Sequence, residues 1–507
     1  MKREIETVGV VGAGAMGRGI AQVCAAAGCN VRLFDLAPET VERAVAAVRD
    51  DLAQAVAKGK SSQEDLDATL ARIIPAAALQ QTADCDLVVE AIVEKMDVKQ
   101  QLFQSLERIV KPSCILATNT SSLSVTAIAA TCTRPQRVAG WHFFNPVPRM
   151  RVVEVIQAPR TAPEVSQALK ALSERIGHRA LVTSDSPGFV VNHAGRAFVT
   201  EGLKMLSEQL ADHTVIDSIL RTCAGFRMGP FELLDLTGLD VSVPVMESIH
   251  EQYYGDDRYR PSALARTRMM AGLLGRKTKQ GFYQYEAGKT VIPVLPEAEV
   301  DARLANELRI WWPTDGPAAL PQHLAAVIGA NARATGPQTA DVILLAPTAA
   351  DLSCTVALMS LNPARALGID PYFGGAAGVT LMASPASSAE TVAKMRGFLA
   401  GKGTPAFVIA DSPGFAAPRI VVSIINLACE LAQQGIASPS DIDAAARLGL
   451  GYPMGPFEWG NKLGSAQVLE ILNALHKTFG DQRYRPSPWL ARRSQLSLPL
   501  DAPDIAN

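Results

Sequence analysis

The chain reads as an α/β unit of the doubly wound type followed by an all-helical domain, then a degenerate second α/β segment and a second helical domain. Three observations predict this. A β-branched run, Thr7-Val8-Gly9-Val10-Val11, leads at once into Gly12-Ala13-Gly14-Ala15-Met16-Gly17 and a helical pattern from Arg18 to Ala27. From Ser184 the composition changes: a turn-like hinge at Asp185-Ser186-Pro187-Gly188-Phe189 precedes an amphipathic helix over Asn192 to Leu210. Pieces of this later tract then return in fixed order. Residues 185–189 recur as Asp411-Ser412-Pro413-Gly414-Phe415, and Met228-Gly229-Pro230-Phe231-Glu232 recurs as Met454 to Glu458, both 226 residues on. Arg258 to Ser262 recurs as Arg483 to Ser487, one residue shorter in spacing. Identity in fixed order signals duplication of a domain. The boundaries expected are 1–184, 185–290, 291–410 and 411–500, with a Pro/Glu-rich linker over residues 291–302.

A chain of 507 residues exceeds one core, and 48% hydrophobic with 19% charged residues suits globular domains. A net charge of −2 argues against a general nucleic-acid or membrane-surface binder. The eight cysteines are scattered without a CxxC pair, so neither a disulfide framework nor a metal site is expected. The N-terminus runs directly into the first strand, and no apolar run reaches about 18 residues. A soluble, cytoplasmic protein is the expectation.

Between a strand and a helix, GxGxxG has a physical meaning. Gly12 allows the tight turn, Gly14 lets the backbone approach a pyrophosphate, and Gly17 allows close helix packing; Ala15 and Met16 open the helix that faces the phosphates. This is a Rossmann-type dinucleotide-binding signature. A second strand, Asn30 to Phe34, ends in Asp35. A carboxylate there accepts from a ribose 2′-hydroxyl and repels a 2′-phosphate, which favours NAD over NADP. Arg32 nearby leaves that preference open.

Residues 38 to 80 read as long helices with a loop at Lys58-Gly59-Lys60. Those lysines are either a solvated loop or a contact to a phosphorylated substrate tail. Asp86 to Ile92 reads as a buried strand, and Glu94 and Lys99 lie beyond its carboxyl end, where open α/β sheets carry ligands. The strand Ile115 to Thr118 ends in Asn119-Thr120-Ser121-Ser122. Thr120 or Ser122 suits helix capping, leaving Asn119 and Ser121 as candidate ligand contacts.

Arg137 to Trp141 and Val152 to Ile156 read as two strands around Asn145-Pro146-Val147-Pro148, which the prolines keep from being helical. A reversal near Pro148 makes His142 and Glu154 equidistant from it, and so able to meet across adjacent strands. An imidazole held by a carboxylate is an oriented base. The plainer alternative is a strand-end histidine with an unrelated surface glutamate.

Taken together, Asn119 to Leu123, His142-Phe143-Phe144-Asn145-Pro146-Val147-Pro148, Val153-Glu154-Val155-Ile156 and Asp185 to Asn192 resemble the 3-hydroxyacyl-CoA dehydrogenases in order and spacing over roughly residues 5 to 290. The resemblance implies NAD-dependent oxidation of an (S)-3-hydroxyacyl-CoA to the 3-ketoacyl-CoA. It makes His142 the base and Glu154 its orienting carboxylate, with Ser121, Asn145 and Asn192 as supporting polar groups. Glu94, Lys99 and Asn119 fall where the family contacts its nicotinamide cofactor, and Asp35 where it holds the adenosine ribose. It also implies a helical domain that dimerises, so the duplicated copy is expected to stand in for a partner subunit's surface. A dehydrogenase of a small free hydroxy acid and a non-catalytic dinucleotide-binding protein are the competing classes.

In the second half, strands are expected over Val342 to Ala346, Gly378 to Met382 and Ala406 to Ala410, without a glycine turn. Counting back by 226, His142 lands on Gly368, Asn145 on Pro371, Glu154 on Thr380 and Asn192 on Pro418. The copy is therefore expected to lack chemistry.

Overall fold

The computed structural model describes residues 4–286, 289–291 and 307–504. The chain forms two compact units that are not consecutive in sequence. One comprises Met1–His193 with Gln434–Leu450, the other Ala194–Gln433 with Gly451–Asn507.

The first unit is built on eight strands: β1 (Thr7–Val11), β2 (Asn30–Phe34), β3 (Ile73–Ala76), β4 (Leu87–Glu90), β5 (Ile115–Thr118), β6 (Val138–Phe143), β7 (Val152–Gln157) and β8 (Arg179–Ser184). Their order is β3-β2-β1-β4-β5-β6-β7-β8. All neighbours are parallel except β6 and β7, which are antiparallel. Runs such as Leu87-Val88-Val89-Glu90 and Ile115-Leu116-Ala117-Thr118 are buried throughout, as strands covered on both faces must be. The order reverses direction between β1 and β4, which opens a crevice at their carboxyl ends.

The stretch read as wholly helical, residues 38 to 80, contains the helices Pro38–Ala57 and Gln63–Ala71 but ends in β3. Four residues including a proline give no periodic signal, and β3 is an edge strand, where a missing N–H is tolerated. The helix expected over Asn192 to Leu210 divides into Val191–Ala194 and Arg196–Ser207, with Gly195 between.

The second unit contains helices of both helical domains, the hairpin β9 (Gln284–Glu286) and β10 (Lys289–Val291), and a five-stranded sheet. That sheet is β11 (Ile310–Trp311), β12 (Val342–Leu345), β13 (Ala366–Gly375), β14 (Gly378–Ala383) and β15 (Ala406–Ala410), in that order. β11 is only two residues long, and β13 holds Pro371 and several glycines, which explains why neither read as a strand. Past Val291, the expected linker lies outside the described residues.

The five-stranded sheet repeats β4 to β8 in order and direction: parallel, parallel, antiparallel, parallel. Gly140 faces Ile156 in the first sheet, and Gly368 faces Met382 in the second. This register corrects the alignment made by counting. The matching register runs one step further, to Ile369 against Leu381, and β13 then bulges; the residue that follows at the step of His142 is Asp370, not Gly368, and Asn145 no longer matches Pro371. The β13–β14 turn is two residues shorter than the β6–β7 loop, so an offset of 226 fails upstream of it. Glu154 and Thr380, downstream, keep that offset.

Within the second unit the helix Arg196–Ser207 packs on the helix Ala417–Gln433. The fully buried Arg419 guanidinium lies 2.6 Å from Glu201 and 2.8 Å from Glu208, and donates to Tyr484 at 2.7 Å. A cation buried to this degree is tolerated because two carboxylates and a hydroxyl meet it.

Candidate active site

At the crevice, the glycine turn has the shape its sequence demands. Gly12 has φ +102°, and a Cβ there would lie 2.4 Å from the Ala91 carbonyl oxygen. A Cβ on Gly17 would lie 1.7 Å from the carbonyl oxygen of Gly12. Gly14 faces open space and is exposed. The helix Ala15–Ala26 starts here with no side chain capping it, so its first N–H groups point toward whatever occupies the turn. Asp35, at the end of β2, accepts from the N–H of Ala13 at 2.8 Å and of Ala37 at 3.1 Å. Arg32 instead pairs with Asp84 at 3.6 Å. An open cradle over Gly14, bare helix N–H groups and a carboxylate at the end of β2 fit NAD.

On the other side of the switch point, Glu94 gathers the loop after β5. Its Oε1 accepts from the Thr120 hydroxyl at 2.6 Å, the Ser121 N–H at 2.9 Å and the Ser122 N–H at 3.2 Å. Burial pushes the Glu94 carboxyl up, but the Thr120 hydroxyl, the Lys99 ammonium and the Ser121 N–H together hold it below its ordinary value. Lys99 is buried, with its ammonium 2.5 Å from Glu90 and 3.2 Å from Glu94. It therefore bears on the crevice through Glu94. Glu90, fully buried, also accepts from the Thr118 hydroxyl at 2.7 Å. Asn119 accepts from the N–H of Phe143 at 2.9 Å, which ties the end of β5 to the residue after His142.

His142 and Glu154 are direct partners across β6 and β7. His142 Nδ1 lies 2.6 Å from Glu154 Oε2, and the other oxygen of Glu154 accepts from the N–H groups of Val190 and Val191, each at 2.8 Å. A carboxylate so placed receives the proton on Nδ1 and leaves Nε2 to act. The ring is flanked by Phe144 and Phe189, with centroids at 4.5 and 5.9 Å. Asn192 donates to the Ser121 carbonyl at 3.4 Å, which brings the start of the helical region to the β5 loop. Asn145 is exposed in the loop beyond His142, and Lys58 and Lys60 are exposed after the helix Pro38–Ala57. Among the described residues, neither lysine joins the network around His142.

Sequence reasoning missed three groups. Glu90 and Thr118 look like ordinary strand residues, because only the fold brings Glu90 to Lys99 and Thr118 to Glu90. His178 gave no signal either. It is buried, and its two ring nitrogens lie 3.1 Å from the Ile176 carbonyl and 3.0 Å from the Val147 carbonyl. Its ring meets Phe143 edge-on at 5.4 Å, so it braces the loop that follows His142. Among the described residues no cluster of three or more His, Cys, Asp or Glu is arranged to hold a metal ion, and no helix is long and apolar enough to cross a membrane.

Known proteins resemble this chain in sequence and fold. Residues 7–186 match the family model described as the 3-hydroxyacyl-CoA dehydrogenase NAD-binding domain, and residues 188–285 and 414–498 both match that family's C-terminal domain. The chain is 36% identical over 496 residues to the 3-hydroxyadipyl-CoA dehydrogenase of Escherichia coli K12, covering 98% of this chain and 99% of that protein. It is 41% identical to a probable 3-hydroxybutyryl-CoA dehydrogenase of Bacillus subtilis, which spans 56% of this chain and is itself 98% covered. A solved structure of 3-hydroxybutyryl-CoA dehydrogenase from Escherichia coli K12 superposes with a TM-score of 0.87 at 35% identity, over 97% of this chain and 99% of that one. With its NAD-binding sheet and both C-terminal copies matched, the chain belongs to the 3-hydroxyacyl-CoA dehydrogenase family.

Proposed function

We propose that the chain oxidises an (S)-3-hydroxyacyl-CoA to the 3-ketoacyl-CoA, with His142 as the base and Glu154 as its orienting partner. The observation that carries this reading is the 2.6 Å contact between His142 Nδ1 and a fully buried Glu154, whose second oxygen is held by two backbone N–H groups. Fixed in that way, Nε2 takes the hydroxyl proton, and Glu154 stabilises the imidazolium that results. NAD, when bound, accepts the hydride from the carbinol carbon. In the reverse direction the imidazolium returns its proton to the forming alkoxide. Ser121 and Asn192, on facing segments, are the groups we assign to the substrate oxygen, where charge develops.

The four-part division at 184, 290 and 410 belongs to the same reading. So does the role of the second helical domain as a substitute for a partner surface. The packing of Arg196–Ser207 on Ala417–Gln433 around Arg419 supports that role.

The test is turnover followed by NADH absorbance over 3-hydroxybutyryl-CoA, 3-hydroxyadipyl-CoA and longer thioesters, each beside its free acid. A large preference for one thioester over its acid is expected. Equal rates on thioester and free acid would overturn the CoA assignment.

A further inference from the structure

The segment Gln434–Leu450 belongs by sequence to the second helical copy but by contact to the first unit. Three contacts fix its course along the sheet that carries His142. The Ile436 carbonyl accepts from the Ser184 N–H at the end of β8, at 3.0 Å. Asp441 pairs with Arg179 at the start of β8, at 2.9 Å. Gly449 lies against Val191: a Cβ there would sit 2.9 and 3.0 Å from the two γ-methyl carbons of Val191. Val191 in turn donates to Glu154, and Glu154 holds His142. A line of direct contacts thus runs from the second copy to the base.

The second unit repeats this arrangement with the copies exchanged. There the Ala410 N–H donates to the Leu210 carbonyl at 2.8 Å. Residues 210 and 436 are 226 apart, as are 184 and 410. Counted back by the same offset, Gly449 matches Cys223. The Cys223 side chain lies beside Asp370 and Thr380, which occupy the places of His142 and Glu154. Next to it, Thr222 approaches β14 so closely that a Cβ on Gly378 would sit 2.8 Å from its methyl carbon. The same turn therefore abuts both sheets. Against the first it ends in a glycine, and against the second it carries a side chain.

We propose that Gln434–Leu450 is a part of the dehydrogenase site supplied by the second copy. In this role Gly449 is a positioning residue that leaves room for Val191, so that Val190 and Val191 keep Glu154 in register with His142. Gly449 does not have a positive φ, so a side chain there meets steric cost rather than backbone strain. The proposal rests on the reading of His142 and Glu154 given above.

The test uses the full chain with Gly449→Ala and Gly449→Cys, and Cys223→Gly as the matched change against the other sheet. Turnover is measured with NAD and 3-hydroxybutyryl-CoA, with and without deuterium at C3, beside the thermal midpoint and KM for each substrate. Gly449→Ala should lower kcat about tenfold, and Gly449→Cys more, since sub-ångström to 1 Å displacements in a reacting site cost up to about a hundredfold. The isotope effect on kcat should rise while KM for NAD stays level. Cys223→Gly should leave kcat and the isotope effect unchanged. A folded Gly449→Cys with wild-type kcat and isotope effect would overturn the proposal, as would an equal fall in Cys223→Gly. Should Gly449→Cys not fold, Gly449→Ala decides the matter by the same two readouts. His142→Gln, assayed alongside, separates the two readings: if it keeps full turnover, the base assignment fails, whatever the Gly449 variants show.

Discussion

Two sheets in this chain share five strands in the same order and directions, yet only one carries the glycine turn and a histidine facing a glutamate. In the first, β1 to β3 precede the shared strands and bring the glycine turn and Asp35. Among the described residues, the second sheet has no counterpart of those three strands. At the centre of the shared part, the first sheet pairs His142 with Glu154, while in the second the register breaks at that step, with Asp370 opening the β13 bulge and Thr380 following Val379 on β14. Strand order alone does not make a site. On the reading proposed above, the site needs the half that cradles the cofactor, and it needs a base and a carboxylate at one register step.

The largest expected effect breaks the comparison at its centre. His142→Gln should lower kcat by about 10²–10⁴-fold, the usual range for a general base, and leave NAD affinity unchanged, since the glycine turn lies on another strand. Calorimetric titration with NAD beside steady-state rates would check both halves of that claim. Turnover near wild type would remove the functional distinction between the two sheets.

How much of this was legible beforehand follows from the range of the signals. The glycine turn, Asp35 and the facing of His142 with Glu154 are local: each depends on neighbours within one strand, turn or hairpin, and short periodicities register them. The repeats at residues 185–189 and 411–415 were equally visible as identity. What failed was counting through a hairpin. Two residues lost between β13 and β14 move the match of His142 from Gly368 to Asp370 without a trace in any motif. β3 was missed because a proline interrupts its four residues, and β11 because two residues carry too few positions to show alternation. The placement of Gln434–Leu450 on β8 and Val191 is a long-range contact, and no local pattern encodes it. That placement also means a cut at residue 290 would strip the first unit of a segment it packs against.

A smaller effect sharpens the difference made by β1 to β3. Asp35 is anchored to the glycine turn through the Ala13 N–H, so its carboxylate is held beside the turn expected to receive the cofactor. The wild type should prefer NAD clearly. Asp35→Ser should narrow the ratio of kcat/KM for NAD over NADP by about tenfold or more, because repulsion of a 2′-phosphate is removed. Equal use of both cofactors by the wild type would show that the half-sheet does not select.

The smallest effect concerns Asp370, which stands at the step of His142 in the second sheet. Asp370 is fully buried, and burial pushes its carboxyl up to about 7 against the opposing N–H groups of Tyr372 and Phe373. The neighbouring Cys223 thiol and Tyr372 hydroxyl are both pushed up to about 12, so neither supplies charge near neutrality. The folded chain therefore holds this proton more tightly than the unfolded chain does. The stability that the proton contributes is complete below pH about 4 and is lost as pH rises through about 7. Asp370→Asn keeps an acceptor for the two N–H groups and cannot ionise. Relative to the wild type, its thermal midpoint should gain about 2–3 °C per pH unit between pH 5 and 7 and then level off. Differential scanning fluorimetry of both proteins from pH 5 to 9 measures this directly. Parallel curves would show that Asp370 does not carry the proton, and that the place of His142 in the second sheet is filled by a carboxylate whose charge the sheet tolerates.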